Sequence, residues 1–180
     1  KTLWDKTDMS NLRLINETTA DNVSSVNITD VFSADFDIYK ITFALTDKQS
    51  SSDDLSIRLI NSSGSVISAS EYDRANLNMK VATSFSEGRS TNTTSFFSHS
   101  ELNLSNDNGG ALSYLFNPFN SSSYTFHLAQ TDGYDSSNNF LPKKIIGVHK
   151  DTTSMTGFNY FADSGTFSAT IRTYGLRVDS

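Results

Sequence analysis

Apolar residues recur at every second position through most of this chain. In Gly165–Leu176 the residues Phe167, Ala169, Ile171 and Thr173 share one parity, and Leu112, Tyr114 and Phe116 do the same between small or polar neighbours. A period of two suits extended backbone, whose successive side chains point to opposite faces. Such strands build sheets with one dry face and one wet face. A one-residue slip would turn the whole apolar set to water, so register is strongly specified wherever the alternation is clean.

The alternation predicts strands at Leu12–Glu17, Val23–Ile28, Tyr39–Leu45, Leu55–Ile60, Leu102–Leu104, Ala111–Phe116, Tyr124–Ala129, Ile145–Val148, Gly157–Phe161 and Phe167–Gly175. Tyr39, Ile41, Phe43 and Leu45 form one inward set, with Lys40 and Thr42 facing water. Leu55, Ile57 and Leu59 form another, with Ser56 and Arg58 outside. In Tyr124–Ala129, His127 is placed on the outward side, opposite Phe126 and Leu128. Turn chemistry separates the strands. Asn61-Ser-Ser-Gly64 and Asn106-Asp-Asn-Gly-Gly110 offer Asx bonds and glycines suited to positive φ, while Asn117-Pro118 stops a strand because proline cannot donate to a ladder. Asp132-Gly133 and Ser164-Gly165 punctuate the C-terminal third. Lys48–Asp54 and Ser84–Ser95 read as exposed loops, and Glu71–Ala82 reads as a helical turn or two, with Tyr72, Ala75 and Met79 on one face. Many short strands without a βαβ unit point to an all-β antiparallel sandwich, jelly-roll-like, with long polar loops. The chain divides into an N-terminal arm over residues 1–11, carrying Trp4, and a single sandwich domain over 12–180.

Composition narrows the function classes. The 180 residues contain no cysteine, which excludes disulfides, thiolate metal sites and thiol nucleophiles. A net charge of −6 argues against nucleic acid, whose phosphates call for a basic footprint. No apolar run approaches the roughly 20 residues of a membrane helix, so no membrane insertion is expected. Thirteen Phe and seven Tyr separate the chain from disordered sequences despite its abundant Ser, Thr and Asn.

Residues with chemical potential are scattered. His99, His127 and His149 lack metal-ligand spacing and read as surface histidines, and no Gly-x-Ser-x-Gly nucleophile turn occurs. Asp30, Asp35 and Asp37, then Asp132, Asp135 and Asn138, then Asp107 mark three oxygen-rich loops. Asx-rich turns account for them without the six to eight oxygens that calcium takes, and no cofactor is called for. No acid stands on a clear apolar strand where its pKa would rise, so the chain reads as non-enzymatic. Tyr72, Phe96, Phe97, Phe119, Tyr134 and Phe140 lie outside the clear strands. Phe96, Phe97 and Phe119 are taken as caps on the ends of the sandwich, and Tyr134 with Asp132 and Asp135 as a candidate ligand-facing loop.

Taken together, Leu14–Phe32, Asp35–Phe43, Leu59–Gly64, Leu115–Tyr124 and the closing Gly165–Leu176 resemble a family of virion structural and tail-fibre-like proteins of marine tailed phages. That family closes on aliphatic-Tyr-Gly-Ile, from which Leu176 departs. The resemblance carries strands and turns rather than site residues. It implies a virion structural protein on the particle exterior, a tail-fibre or tail-tip adhesin binding host surface glycan. It also implies other virion proteins as partners and homo-oligomeric, trimeric assembly. The alternatives are a capsid decoration or cement protein that stabilises the shell, and a free secreted carbohydrate-binding module.

Overall fold

The computed structural model describes residues 11–48, 53–102, 109–135 and 137–176. The arm expected over residues 1–11, apart from Asn11, and Asp107 fall outside them. The described residues form twelve strands: β1 Leu12–Val23, β2 Ser25–Ile28, β3 Ile38–Lys48, β4 Asp53–Asn61, β5 Tyr72–Asn78, β6 Ser86–Thr93, β7 Phe96–Leu102, β8 Gly110–Phe116, β9 Thr125–Thr131, β10 Lys143–His149, β11 Met155–Ala162 and β12 Phe167–Leu176. They make an eight-stranded sheet, β1-β12-β3-β8-β9-β10-β5-β6, and a four-stranded sheet, β2-β11-β4-β7. All pairings are antiparallel.

The pairs β1/β12, β2/β11, β3/β8 and β4/β7 nest one inside the next. A long two-stranded ribbon wound into two sheets gives this order, so the eight strands are a jelly roll. Two further hairpins extend it. β5 and β6 are inserted between β4 and β7, β9 and β10 between β8 and β11, and the two insertions pair through β10 and β5.

The core lies between the sheets. Tyr39, Ile41, Phe43 and Leu45 point inward as their alternation requires, as do Leu55, Ile57, Leu59, Phe167, Ala169, Ile171 and Thr173. The Phe43 ring lies 4.8 Å from Tyr160 and 5.9 Å from Phe167, and Phe158 lies 5.8 Å from both Tyr160 and Phe32. Each such side chain contributes about 1.5–3 kcal/mol on burial, so this cluster dominates the favourable side of folding. Two buried tyrosines then fasten connections. The Tyr39 hydroxyl donates to Ser33 O at 2.9 Å and accepts from Ser33 N at 2.8 Å. The Tyr72 hydroxyl donates to Ile67 O at 3.0 Å and accepts from Leu59 N at 3.1 Å. The turn residues act as expected: Asn61 Oδ1 accepts from Ser63 N and Ser65 N, and Gly64 has φ +78°.

Several expectations are corrected. The segment read as helical is β5, because β10 and β6 supply ladder partners on both sides. The polar stretch 84–95 is largely β6, a strand whose backbone pairs although its side chains carry little apolar signal. Phe96 is no end cap; it is a buried residue of β7 in the core. Ser56 lies on the outer side of β4 as expected but is covered, with Phe161 and Phe97 as its cross-strand partners. The parity of β8 is inverted, with Ala111, Ser113 and Leu115 buried and Leu112, Tyr114 and Phe116 on the outer face, and so is that of β9. His127 is 1% exposed and Phe126 is 47% exposed. His149 is likewise buried rather than on the surface.

Phe96 gives the reason for the inversion. Its ring stacks on His127 at 4.8 Å and meets Tyr72 edge-on at 4.9 Å. Gly147, the β10 partner of His127, leaves room for it: a Cβ at 147 would stand 2.7 Å from Phe96 Cδ1. Neither nitrogen of His127 has a hydrogen-bond partner among the described residues, and burial pushes its imidazole down to about 3. Burial also lowers His149, against the opposing pull of Glu71, 3.3 Å away.

Two outcomes follow for stability. In the unfolded chain His127 binds a proton near pH 6.5, whereas the folded protein resists it down to about 3. Stability should therefore fall as pH drops below 6.5, by up to about 1.4 kcal/mol per pH unit from this residue. Urea unfolding at pH 7 and 5 should show a shallower loss for His127→Leu than for the parent; equal slopes would refute burial of the neutral ring. Gly147→Ala should cost about 1–3 kcal/mol by overpacking against Phe96, and an unchanged urea midpoint would exclude that contact.

Candidate functional site

The two inserted hairpins bring their loops together at one end of the sandwich. This end lies opposite the one where β1 begins and β12 finishes, since Leu12 pairs with Leu176 there and Val23 with Phe167 at the loop end. The β5–β6 loop, 79–85, runs beside the β9–β10 loop, 132–142. Met79 N donates to Pro142 O at 2.9 Å and Val81 N to Phe140 O at 3.1 Å, so the two loops share a short extension of the sheet.

The β9–β10 loop is itself ordered by backbone pairing. Leu141 N donates to Gly133 O at 2.8 Å, Tyr134 and Phe140 form a bridge, and Asp135 N donates to Asn139 O at 2.9 Å. Asn138 takes φ +59°, the left-handed conformation that asparagine tolerates best after glycine. Asp135 is the organising group. Its Oδ1 accepts from Ser137 N at 3.0 Å and Asn139 N at 2.9 Å, and its carboxylate pairs with Lys80 from the neighbouring loop. The Lys80 ammonium, then the Asn139 N–H, hold this carboxyl down to about 2. Asp132 accepts a hydrogen bond from Gly110 N and ties β8 to the loop.

The three residues singled out in the sequence therefore fall in one loop but have different parts. Asp135 is buried and committed to Lys80 and the loop backbone. Asp132 lies at the loop's base. Tyr134 is exposed, its ring 5.5 Å from that of Phe140, and these two rings form the presenting surface. The neighbouring loop adds Val81 and Phe85, 70% and 65% exposed. Val81, Phe85 and Lys80 are not legible as site residues in the sequence, where their segment reads as helix and loop. The available signal was a single large apolar residue isolated among serines, Ser84-Phe85-Ser86. The site is thus an apolar, largely aromatic tip held by a buried carboxylate. Aromatic rings at an exposed edge, here tilted 54° to one another, can bind the flat apolar face of a sugar, with nearby amides and carboxylates meeting hydroxyls.

No family model, curated protein or solved structure matches the chain. Among the described residues no three His, Asp or Glu side chains converge as a metal-holding group. Asp35, from the first oxygen-rich loop, instead accepts from Ser33 Oγ at 3.2 Å.

A second surface is the outer face of the eight-stranded sheet. Ala75 on β5 lies between taller neighbours on β10 and β6, and the resulting trough of about 460 Å³ is lined by Leu77, Ile146, Lys144, Glu87 and Arg89. Phe126, Leu128 and Ile146 stand exposed on the same face.

Asp135→Ala removes the Lys80 pair and the acceptor for two backbone N–H groups. It should lower stability by about 1–2 kcal/mol, discounted for the position of Lys80 near solvent. Amide exchange should accelerate in 133–141 and 79–83 together. Acceleration confined to one loop would disprove that the carboxylate couples them.

Proposed function

We propose that this chain is an exterior recognition domain of a tailed-phage particle, a tail-fibre or tail-tip adhesin that binds host surface glycan through the loop tip. The observation that carries the reading is the tip itself: Tyr134 and Phe140 are exposed side by side on a hairpin held by Asp135 and Lys80. It lies at the end of the sandwich away from the outer ends of β1 and β12. A domain attached through that opposite end presents its loops outward. The jelly roll supports the reading by analogy, since viral capsid and lectin domains both use it, while the site carries the functional argument. The sequence resemblance to phage virion proteins points the same way.

The capsid-decoration alternative draws on a different observation, the wide apolar outer face of the large sheet. A clamp between shell subunits would bury that face against other virion proteins and leave the tip idle.

Tyr134→Ala combined with Phe140→Ala separates the readings. The pair is half-exposed, so the fold should survive, with near-UV circular dichroism as its check. A glycan array and adsorption of particles to host cells should both lose signal by about tenfold or more, the loss of one to two stacking contacts. Retained adsorption would sink the adhesin reading. Saturable glycan binding by a protein never found in particles would instead favour a free carbohydrate-binding module.

A further inference from the structure

The outer face of the eight-stranded sheet has an order that the recognition tip does not use. On its three central strands, β8, β9 and β10, the outward residues carry one charge, Lys144. Tyr114, Phe126, Leu128 and Ile146 cover most of this centre, and Ile146 is 63% exposed. Charges gather towards the margins. Arg172 lies on β12, with Glu17 beside it on β1 at 2.5 Å, Glu87 and Arg89 lie on β6, and Lys40 on β3 and Asp73 on β5 stand between centre and rim. An apolar centre inside a charged rim is the anatomy of a protein interface.

We infer that this face docks a second copy of the same chain, face to face, about a two-fold axis lying along β9. The register decides the axis. Rotation about β9 lays β8 over the partner copy's β10 and β12 over its β6. Arg172 then faces Glu87 of the partner subunit, Tyr174 faces Arg89 of the partner subunit, and Tyr114 faces Ile146 of the partner subunit. Moving the axis half a strand towards β8 sets Glu17 against Glu87, and half a strand towards β10 sets Lys40 against Arg89. Both place like charges opposite, which costs affinity. Turning the axis across the strands puts Arg172 on Leu176 and Lys144 on Val148 and pairs no opposite charges. Of these arrangements the β9 axis alone sets Arg172 against Glu87 of the partner subunit with no like charges opposite; Lys40, Lys144 and Asp73 then face Ala75 of the partner subunit, Leu112 of the partner subunit and Ile38 of the partner subunit.

The size agrees. The seven strands from β12 to β6, about 4.8 Å apart and each offering three outward residues about 6.8 Å apart, span roughly 34 Å by 20 Å. That is about 700 Å² per copy, close to the ~800 Å² per partner of a stable complex. Two identical sheets also twist with one hand, which lets their faces pack in alignment about 10 Å apart. The inference is independent of what the tip binds.

Sedimentation equilibrium on the full chain tests it. The expected mass is twice 19.8 kDa. Ile146→Lys should give a monomer with an unchanged near-UV spectrum. Arg172→Glu and Glu87→Arg should each weaken association at least about tenfold, and the double variant should restore it. Glu17→Gln, which removes only the neighbour within the same copy, should leave the dimer intact. A monomeric or trimeric parent would overturn the proposal. So would a double variant no tighter than the singles, or dissociation by Phe85→Lys at the loop tip.

Discussion

Burial of the inner faces of β3 and β12 against β4 and β11 is the contact on which everything else in this molecule depends. Ile41, Phe43 and Ile171 from one sheet and Leu55, Ile57, Phe158 and Tyr160 from the other have almost no remaining exposure. The strands that carry them are the two central strands of each four-stranded layer of the jelly roll, so the same burial that stabilises the core also fixes which strands become neighbours. Once β3 and β12 are side by side, β1 and β8 have places at their free edges. Once β4 and β11 are paired, β2 and β7 have places at theirs.

The extension of the large sheet is a consequence of that frame. β8 lies at the edge of the jelly-roll sheet, and an unpaired edge invites another strand. β9 and β10 fill it, and β5 and β6 complete the row although they leave the chain much earlier. The join is secured from inside by Phe96, which sits over Gly147 and between Tyr72 and His127. A histidine without polar partners costs stability, and the aromatic stack around it is what offsets that cost. The annexed strands bring two loops from distant parts of the sequence into one tip and widen the outer face beyond the jelly roll itself. The recognition tip thus lies wholly on the added hairpins, and the proposed dimer face needs them for its axis strand and for one side of its rim.

The legible parts of the sequence were those where one parity is apolar and the other polar. Tyr39–Leu45, Leu55–Ile60 and Phe167–Gly175 are of this kind, and their inward sets are as the alternation requires. The reading failed on β9, where Phe126 and Leu128 are larger and more apolar than His127 yet face outward. Alternation cannot choose a parity when the outer face is itself apolar. It failed differently on β5 and β6, whose polar residues pair through backbone groups that side-chain pattern does not record. At the tip, the sequence marks Tyr134, Asp132 and Asp135 as one candidate loop, but it does not show that the Asp135 oxygens are occupied by the loop and by Lys80.

By itself, then, the amino-acid order determined that this chain forms short antiparallel strands with a two-residue period, turns at Asn61–Gly64, Asn117-Pro118 and Ser164-Gly165, and a sandwich rather than a helical fold. These follow from local chemistry, since alternation and turn preference act within a few residues of one another. Tertiary structure alone decided the parities of β8 and β9, the strand identity of 72–78 and 86–93, and the meeting of Lys80 with Asp135. Except for β6, whose ladder partner β5 is its neighbour in the chain, each of those depends on a group dozens of residues away, whose ring, backbone or charge makes one local option cheaper than another only after the sheets have closed.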